Sequence, residues 1–163
     1  MIKKSMQNAL NEQIKNEIQS AYLYLGMALY AESSNLPGVG AWLRVQWGEE
    51  LEHAMKLVGI VNDRGGRVTL QALAAPKASY ASVLDVFQNV LAHEQKVTAM
   101  INSLYEAAVK ENDLALQIEL QWFIKEQVEE EKNAAAIIEQ VKMSGESGPA
   151  LLMIDRHLAM RKG

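Results

Sequence analysis

The chain has 163 residues, of which 49% are hydrophobic and only 6% aromatic, with a formal charge of −4 and no cysteine. Such a length fits a single domain over 1–163 whose core buries roughly two thirds of the surface the unfolded chain exposes. Without Cys, disulfides, zinc ribbons, thiol catalysis and cysteine-ligated iron–sulfur clusters are excluded, and without a Lys/Arg-rich block there is no electrostatic footprint for nucleic acid or an anionic membrane.

The packing material is Leu, Ile, Val, Ala and eight Met, with three Pro in the whole chain, which favours helices. The opening MIKKSMQNAL lacks the apolar run of a secretory signal. The longest apolar stretch, Ala21 to Ala31, has eleven residues, short of the ~20 that span a bilayer. A soluble, cytoplasmic protein is the expectation.

In chain order, a first helix is predicted from about Ser5 to Ser33, where Leu10, Ile14, Glu17, Ala21, Tyr24 and Ala28 advance by alternating steps of four and three. It stops at SSNLPG, rich in helix breakers. A second, from about Gly38 to Arg64, carries the seam Leu43, Gln46, Glu50, His53, Leu57, Ile60 and closes at Gly65-Gly66. Residues 65–80 show no clear period. Fully extended they reach ~53 Å at ~3.3 Å per residue, against ~40 Å for a 27-residue helix, so they are long enough to cross a bundle from end to end. Ser82 and Asp85 form a capping-box-like start for a third helix with the seam Leu84, Phe87, Leu91, Glu94, Thr98, Ile101, Tyr105, Ala108. The fourth begins near Asp113, follows Leu116, Leu120, Phe123, Gln127, Glu130, Ala134, Ile137, Val141, and ends by Gly145. Pro149 then opens a short fifth helix, PALLMIDRHLAMRK, running to Lys162, whose Leu151, Leu152, Ile154 and Leu158 need cover from the bundle or from neighbouring subunits. The prediction is an all-α four-helix bundle, two antiparallel hairpins joined by one long strap.

Each seam has a polar interruption near its middle: Glu17; Glu50 with His53; Glu94; Gln127 with Glu130. Glu17 and Glu50 are 33 residues apart, as are Glu94 and Gln127. In an antiparallel hairpin, residues equidistant from the turn share one height. The two midpoints fall between Ser33 and Ser34 and between Lys110 and Glu111, at the proposed turns. All six side chains therefore converge on one level of the core. Four ionised carboxylates there would repel one another and lose several kcal/mol of solvation each. No Lys or Arg falls on these seams at that level, and two divalent ions would balance the four charges. Carboxylates with one imidazole and no thiolate suit iron, manganese or zinc, and a Glu within reach of both ions can bridge them. A single Glu-x-x-His pair is common on surface helices; its meaning comes from the matching residues on three other helices, the arrangement known from ferritin-like di-metal carboxylate proteins.

Around this layer, Tyr24 lies seven residues from Glu17 on the same seam, as core packing or as a donor to the site. Glu49, Glu126 and Glu129 neighbour the seam residues and, with Glu130, form either an adjacent, wetter cation site or a solvated face. Trp122 reads as core, and His93, about 100° around the helix from Glu94, as peripheral. For His157, in the short last helix, an interface role is open but nothing in the sequence specifies it, and the Met residues read as gap-filling core.

With these residues in order, the chain resembles a bacterial non-haem ferritin over essentially its full length. The resemblance rests on four helices, a long B–C crossover, a short fifth helix, and Glu17, Glu50-x-x-His53, Glu94 and Gln127-x-x-Glu130. The stretch QWFIKEQVEEEK resembles that group's fourth helix, where Glu126, Glu129 and Glu130 match a third iron position. The resemblance implies that Glu17, Glu50 and His53 hold one iron, and Glu50, Glu94 and Glu130 the second, with Glu50 bridging. It also implies Gln127 near the oxygen site and Tyr24 beside the centre. It further implies a ferroxidase that oxidises Fe(II) with O₂ or peroxide and stores Fe(III) as mineral in a cage of 24 subunits. Two departures separate it from bacterioferritins: Gln127-x-x-Glu130 replaces a second Glu-x-x-His, and Leu51 stands where the haem-ligating methionine would be, so no haem is expected. Two rivals remain open at this level. One is a rubrerythrin-like di-iron peroxidase without storage, disfavoured by the lack of rubredoxin-like Cys pairs. The other is a metal-free bundle whose polar seam only sets register.

Overall fold

The computed structural model describes residues 1–162. Its elements are the helices α1 (Lys4–Ser33), α2 (Pro37–Asp63), α3 (Val83–Lys110), α4 (Leu114–Ser144) and α5 (Gly148–Leu158), with no strand among the described residues. The predicted helices and observed ones agree to within a residue or so, except that α5 stops at Leu158, short of the Lys162 to which the sequence pattern ran.

Sequence sets the ends. Ser82 accepts the Asp85 N–H at 3.2 Å and Asp113 accepts the Leu116 N–H at 3.1 Å, each side chain serving one of the unpaired amides of a first helical turn. Gly65, at φ 68°, ends α2 in the left-handed region where a side chain would be strained.

The two hairpin turns are built alike. Asn35 and Asn112 both have positive φ, 60° and 52°. In each turn the Asn N–H bonds back three residues, Asn35 to Glu32 and Asn112 to Val109, and the next N–H bonds back five, Leu36 to Ala31 and Asp113 to Ala108. This is a Schellman ending with Asn in place of Gly. An offset of 77 residues relates the turns, and the same offset relates Glu17 to Glu94, Glu50 to Gln127 and His53 to Glu130. The bundle is thus two similar hairpins placed head to tail.

Residues 64–82 form the strap between them, and its register is set by polar side chains of α1. Gln7 accepts from Arg67 N, and Asn11 binds Arg67 O at 3.0 Å and Thr69 N at 2.9 Å. Gln19 brackets Ala74 through both its amide atoms, and the Tyr30 hydroxyl donates to Tyr80 O at 2.6 Å. The strap therefore runs alongside α1 in the same direction, carrying the chain from one end of the bundle to the other. Gly26 permits its closest approach: a Cβ there would lie 2.8 Å from Pro76 Cγ.

Two apolar cores fill the bundle. One, towards the α1–α2 turn, contains Tyr24, Met27, Leu43, Phe87, Val90, Ile137 and Val141, with Ile154 and Leu158 of α5. The other, towards the α3–α4 turn, contains Leu10, Ile14, Leu57, Ile101, Leu116, Leu120 and Phe123. Each fully buried aliphatic or aromatic side chain contributes roughly 1.5–3 kcal/mol. Of the four residues expected to need cover on α5, Ile154 and Leu158 are buried and Leu151 is half-buried, but Leu152 is exposed. None of the helices is long and apolar enough to cross a membrane.

Candidate metal centre

Between the two apolar cores lies a polar layer made by all four long helices. Glu17, Gln46, Glu50, His53, Glu94, Gln127 and Glu130 are all buried, none more than 7% exposed. Apolar packing above and below excludes water and holds these side chains in fixed positions.

Two groups of side chains converge closely enough to hold a metal ion. The first is Glu17, Glu50 and His53, and the second is His53, Glu126 and Glu130. His53 Nδ1 stands 3.7 Å from Glu50 Oε2, and its ring meets Trp122 and Phe123 edge-on, at centroid distances of 5.3 and 6.0 Å. Trp122, read from the sequence as core near Gln127, is half-buried against the imidazole and carries the Lys56 ammonium over its ring, 3.6 Å from the centroid.

Glu94 is held differently. The Tyr24 hydroxyl donates to its Oε1, and Gln127 Nε2 donates to its Oε2 at 3.1 Å and to its backbone oxygen at 3.2 Å. Tyr24 and Gln127 thus act on Glu94, and Gln127 presents donor hydrogens to it. Gln13, which the sequence pattern did not single out, donates to Glu17 Oε1 at 2.7 Å.

The electrostatics follow from burial. Loss of solvation pushes the Glu17 carboxyl up to about 8 and Glu130 up to about 7, with the fields of Glu50 on Glu17 and Glu94 on Glu130 adding to it. Burial also raises Glu50 far above the carboxylate range, reinforced by Glu94 and Glu130, and it raises Glu94. The Tyr24 phenol is likewise pushed well up, by burial and then by Glu94. Glu17 Oε2 is buried with no hydrogen-bond partner among the described residues. An orphaned carboxylate oxygen among three other buried carboxyls and one imidazole fits a hard divalent cation of the iron, manganese or zinc type.

The outer residues divide. Glu126 is half-buried and joins the second group, whereas Glu129 is exposed and belongs to neither group among the described residues. Glu49 is half-buried and bonds Arg161. Arg161 was missed from the sequence. It does not lie on a seam; it follows α5, and its Nη1 donates to Gln46 Oε1 at 2.9 Å. The layer therefore has a resident positive charge on its rim, although the seams themselves supply none. His93, read as peripheral, is half-buried, takes part in a 2.7 Å hydrogen bond with Ser20 Oγ, and meets the Tyr24 ring edge-on. Burial, then Lys96, lowers its pKa to about 4, so it is neutral at physiological pH.

A Ferritin-like domain model matches residues 7–144. The chain is 37% identical to the bacterial non-heme ferritin of Campylobacter jejuni over 158 residues, 97% of this chain and 95% of that one. It is 35% identical to the bacterial non-heme ferritin of Bacteroides fragilis, covering 99% of this chain and all of that one. Among solved structures, an open pore ferritin from the hyperthermophilic archaeon Archaeoglobus fulgidus superposes with a TM-score of 0.97 at 48% identity, over 99% of this chain and 100% of that chain. Paired hairpins, a full-length strap, a buried carboxylate layer and these matches agree, and the chain belongs to the ferritin-like family.

Proposed function

We propose that this protein is an iron-storage ferroxidase, a cytoplasmic cage of 24 subunits that takes Fe(II) as substrate and retains Fe(III) as mineral. The carrying observation is the buried layer of four carboxyls, in which Glu17 Oε2 has no hydrogen-bond partner among the described residues. In this reading Glu17, Glu50 and His53 bind one Fe(II), and Glu50, Glu94 and Glu130 the second, with Glu50 shared. Each Fe(II) gives up one electron, and O₂ takes both with two protons to leave peroxide. Gln127 and Tyr24 orient Glu94 through the hydrogen bonds described above. Carboxylate ligands favour the ferric product, because hard anionic oxygens bind the higher charge more strongly. Glu126 and Glu130, with Glu49 and Glu129 beside them, offer a wetter outer position through which iron passes or at which a third ion rests. Assembly is supported by large apolar side chains left exposed on α1 and the strap, among them Tyr22, Leu29 and Leu70 at 42, 52 and 74%.

Glu50→Ala and His53→Ala should each abolish rapid aerobic Fe(II) oxidation while the assembled protein survives gel filtration at the mass of about 24 chains. Unchanged oxidation rates in both variants would remove the site assignment. A mass of one or two chains, with no mineral core visible by electron microscopy after iron loading, would remove the storage role.

A further inference from the structure

Arg161 connects the end of the chain to the rim of the carboxylate layer. Its guanidinium donates through Nη1 to Gln46 Oε1 at 2.9 Å and through Nη2 to Glu49 Oε2, and it lies over the Trp42 ring at 4.2 Å. Arg161 is only 18% exposed along its side chain, Glu49 33%, and Gln46 not at all. This is therefore a partly desolvated, three-point contact, unlike the solvated surface pairs that contribute little. A guanidinium has no acceptor, so Gln46 must turn its carbonyl oxygen towards Arg161. Its amide nitrogen is then left facing Glu50, to whose Oε1 it donates at 3.1 Å.

The helix that delivers Arg161 is anchored independently. Asp155, buried, accepts the Val39 N–H at the start of α2 at 2.8 Å, and Gly38 lets the α5 backbone pack directly on that turn. Loss of the Arg161 contacts therefore leaves α5 seated. A crevice of about 340 Å³ lined by Trp42, Ile137, His157 and Arg161 lies alongside, giving the side chain space to swing away from Glu49.

We propose that Arg161 is a resident counter-cation and positioning residue. It holds Glu49 and fixes the Gln46 amide towards Glu50, and a divalent ion arriving at the outer position must displace it, freeing the residues after α5. The inference rests on the proposed outer cation site at Glu126 and Glu130, with Glu49 beside it. The two cations compete because Glu49 stands within the fields of both Arg161 and Glu126, so a divalent ion held by His53, Glu126 and Glu130 repels the guanidinium and draws Glu49 away from it. Metal loading is in this way reported at the C-terminal end of the chain.

The test uses Zn(II), which cannot be oxidised, on the assembled metal-free protein. Calorimetry measures its binding, and hydrogen–deuterium exchange follows residues 159–162. Zn(II) should speed exchange of that segment in the wild type. It should not do so in Glu126→Gln, which removes an outer ligand without touching Arg161. Arg161→Gln should tighten the weakest class of Zn(II) sites on the order of tenfold, the factor set by one charge-assisted contact no longer opposing entry. Arg161→Lys, which keeps the charge but loses the fork, should fall between. Weak-site binding that is lost in Glu126→Gln, yet leaves wild-type exchange unchanged, overturns the latch and leaves the outer site standing. Identical titrations for wild type and Glu126→Gln remove the outer site, and the latch with it.

Discussion

Gln127 gives its side-chain amide hydrogens to Glu94, 3.1 Å from Nε2 to Oε2, at the position that Glu50 occupies in the first hairpin. The offset of 77 residues makes the two hairpins nearly equivalent in backbone and unequal in charge. A carboxylate at this place would stand within hydrogen-bond distance of Glu94 and add a fifth acid to a layer in which burial already raises the other four. Gln127→Glu should therefore lower the stability of the metal-free protein by about 1–3 kcal/mol, the range for a buried polar group whose partner becomes repulsive. Saturating Zn(II) should narrow that deficit. Denaturation midpoints with and without Zn(II) check it, and a deficit that Zn(II) leaves untouched would show that the introduced carboxyl never joins the layer.

The raised carboxyls give the metal-free protein a defined pH response. Glu17 and Glu130 titrate near 8 and near 7 in the folded state, against about 4.5 when unfolded. Between those limits the native chain binds more protons than the unfolded one, so stability falls as pH rises from about 4.5 to 8. Cation binding must expel the same protons. Calorimetry of Zn(II) in buffers of differing ionisation enthalpy should find proton release well above one per chain at pH 6, fading towards pH 9. In Glu17→Gln the release at pH 6 should drop by about one proton.

The seams were legible because a helical period and a matched 33-residue offset are both linear signals: they placed Glu17, Glu50, His53, Glu94, Gln127 and Glu130 at one level, where the structure has them buried together. Residues one step off the seam were less readable. Glu126 and Glu130 are four apart and share a face, whereas Glu129 is ~100° from Glu130 and faces out. Arg161 was invisible because it reaches the layer from beyond α5, through a docking geometry that no period encodes. The anchors of the strap were hidden for a related reason. Gln7, Asn11 and Gln19 look like an ordinary wet face of α1 until the backbone they bind is laid across them.

The paired turns make a sharp test of local conformation. Asn35 and Asn112 hold left-handed backbone, where a β-branched side chain costs about 1–2 kcal/mol and glycine nothing. Asn112→Val should lower the unfolding free energy by that amount, and Asn112→Gly should be neutral within about 0.5 kcal/mol. The same pair at Asn35 should behave alike. Equal stability of the Val and Gly variants at either turn would contradict the Schellman geometry there.

Two glycines inside helices should respond in opposite senses to the same substitution. In an open helix interior, Gly→Ala gains roughly 1 kcal/mol through lower backbone entropy in the unfolded chain and better helix propensity. At Gly59 an added Cβ meets nothing within 4 Å, so Gly59→Ala should show that gain. At Gly26 the same carbon would stand 2.8 Å from Pro76 Cγ and 3.0 Å from Pro76 Cβ, both in a ring that cannot rotate aside. The strap is pinned on either side of this point by Gln19 to Ala74 and Tyr30 to Tyr80, so it cannot lift without breaking hydrogen bonds. Overpacking of this kind costs about 1–3 kcal/mol, enough to cancel or reverse the propensity gain. Gly26→Ala should therefore be neutral to destabilising, and limited proteolysis should cut faster within residues 67–80 in that variant than in Gly59→Ala. If Gly26→Ala instead raises the denaturation midpoint as much as Gly59→Ala and leaves the strap equally protected, the strap does not ride on α1 at Gly26.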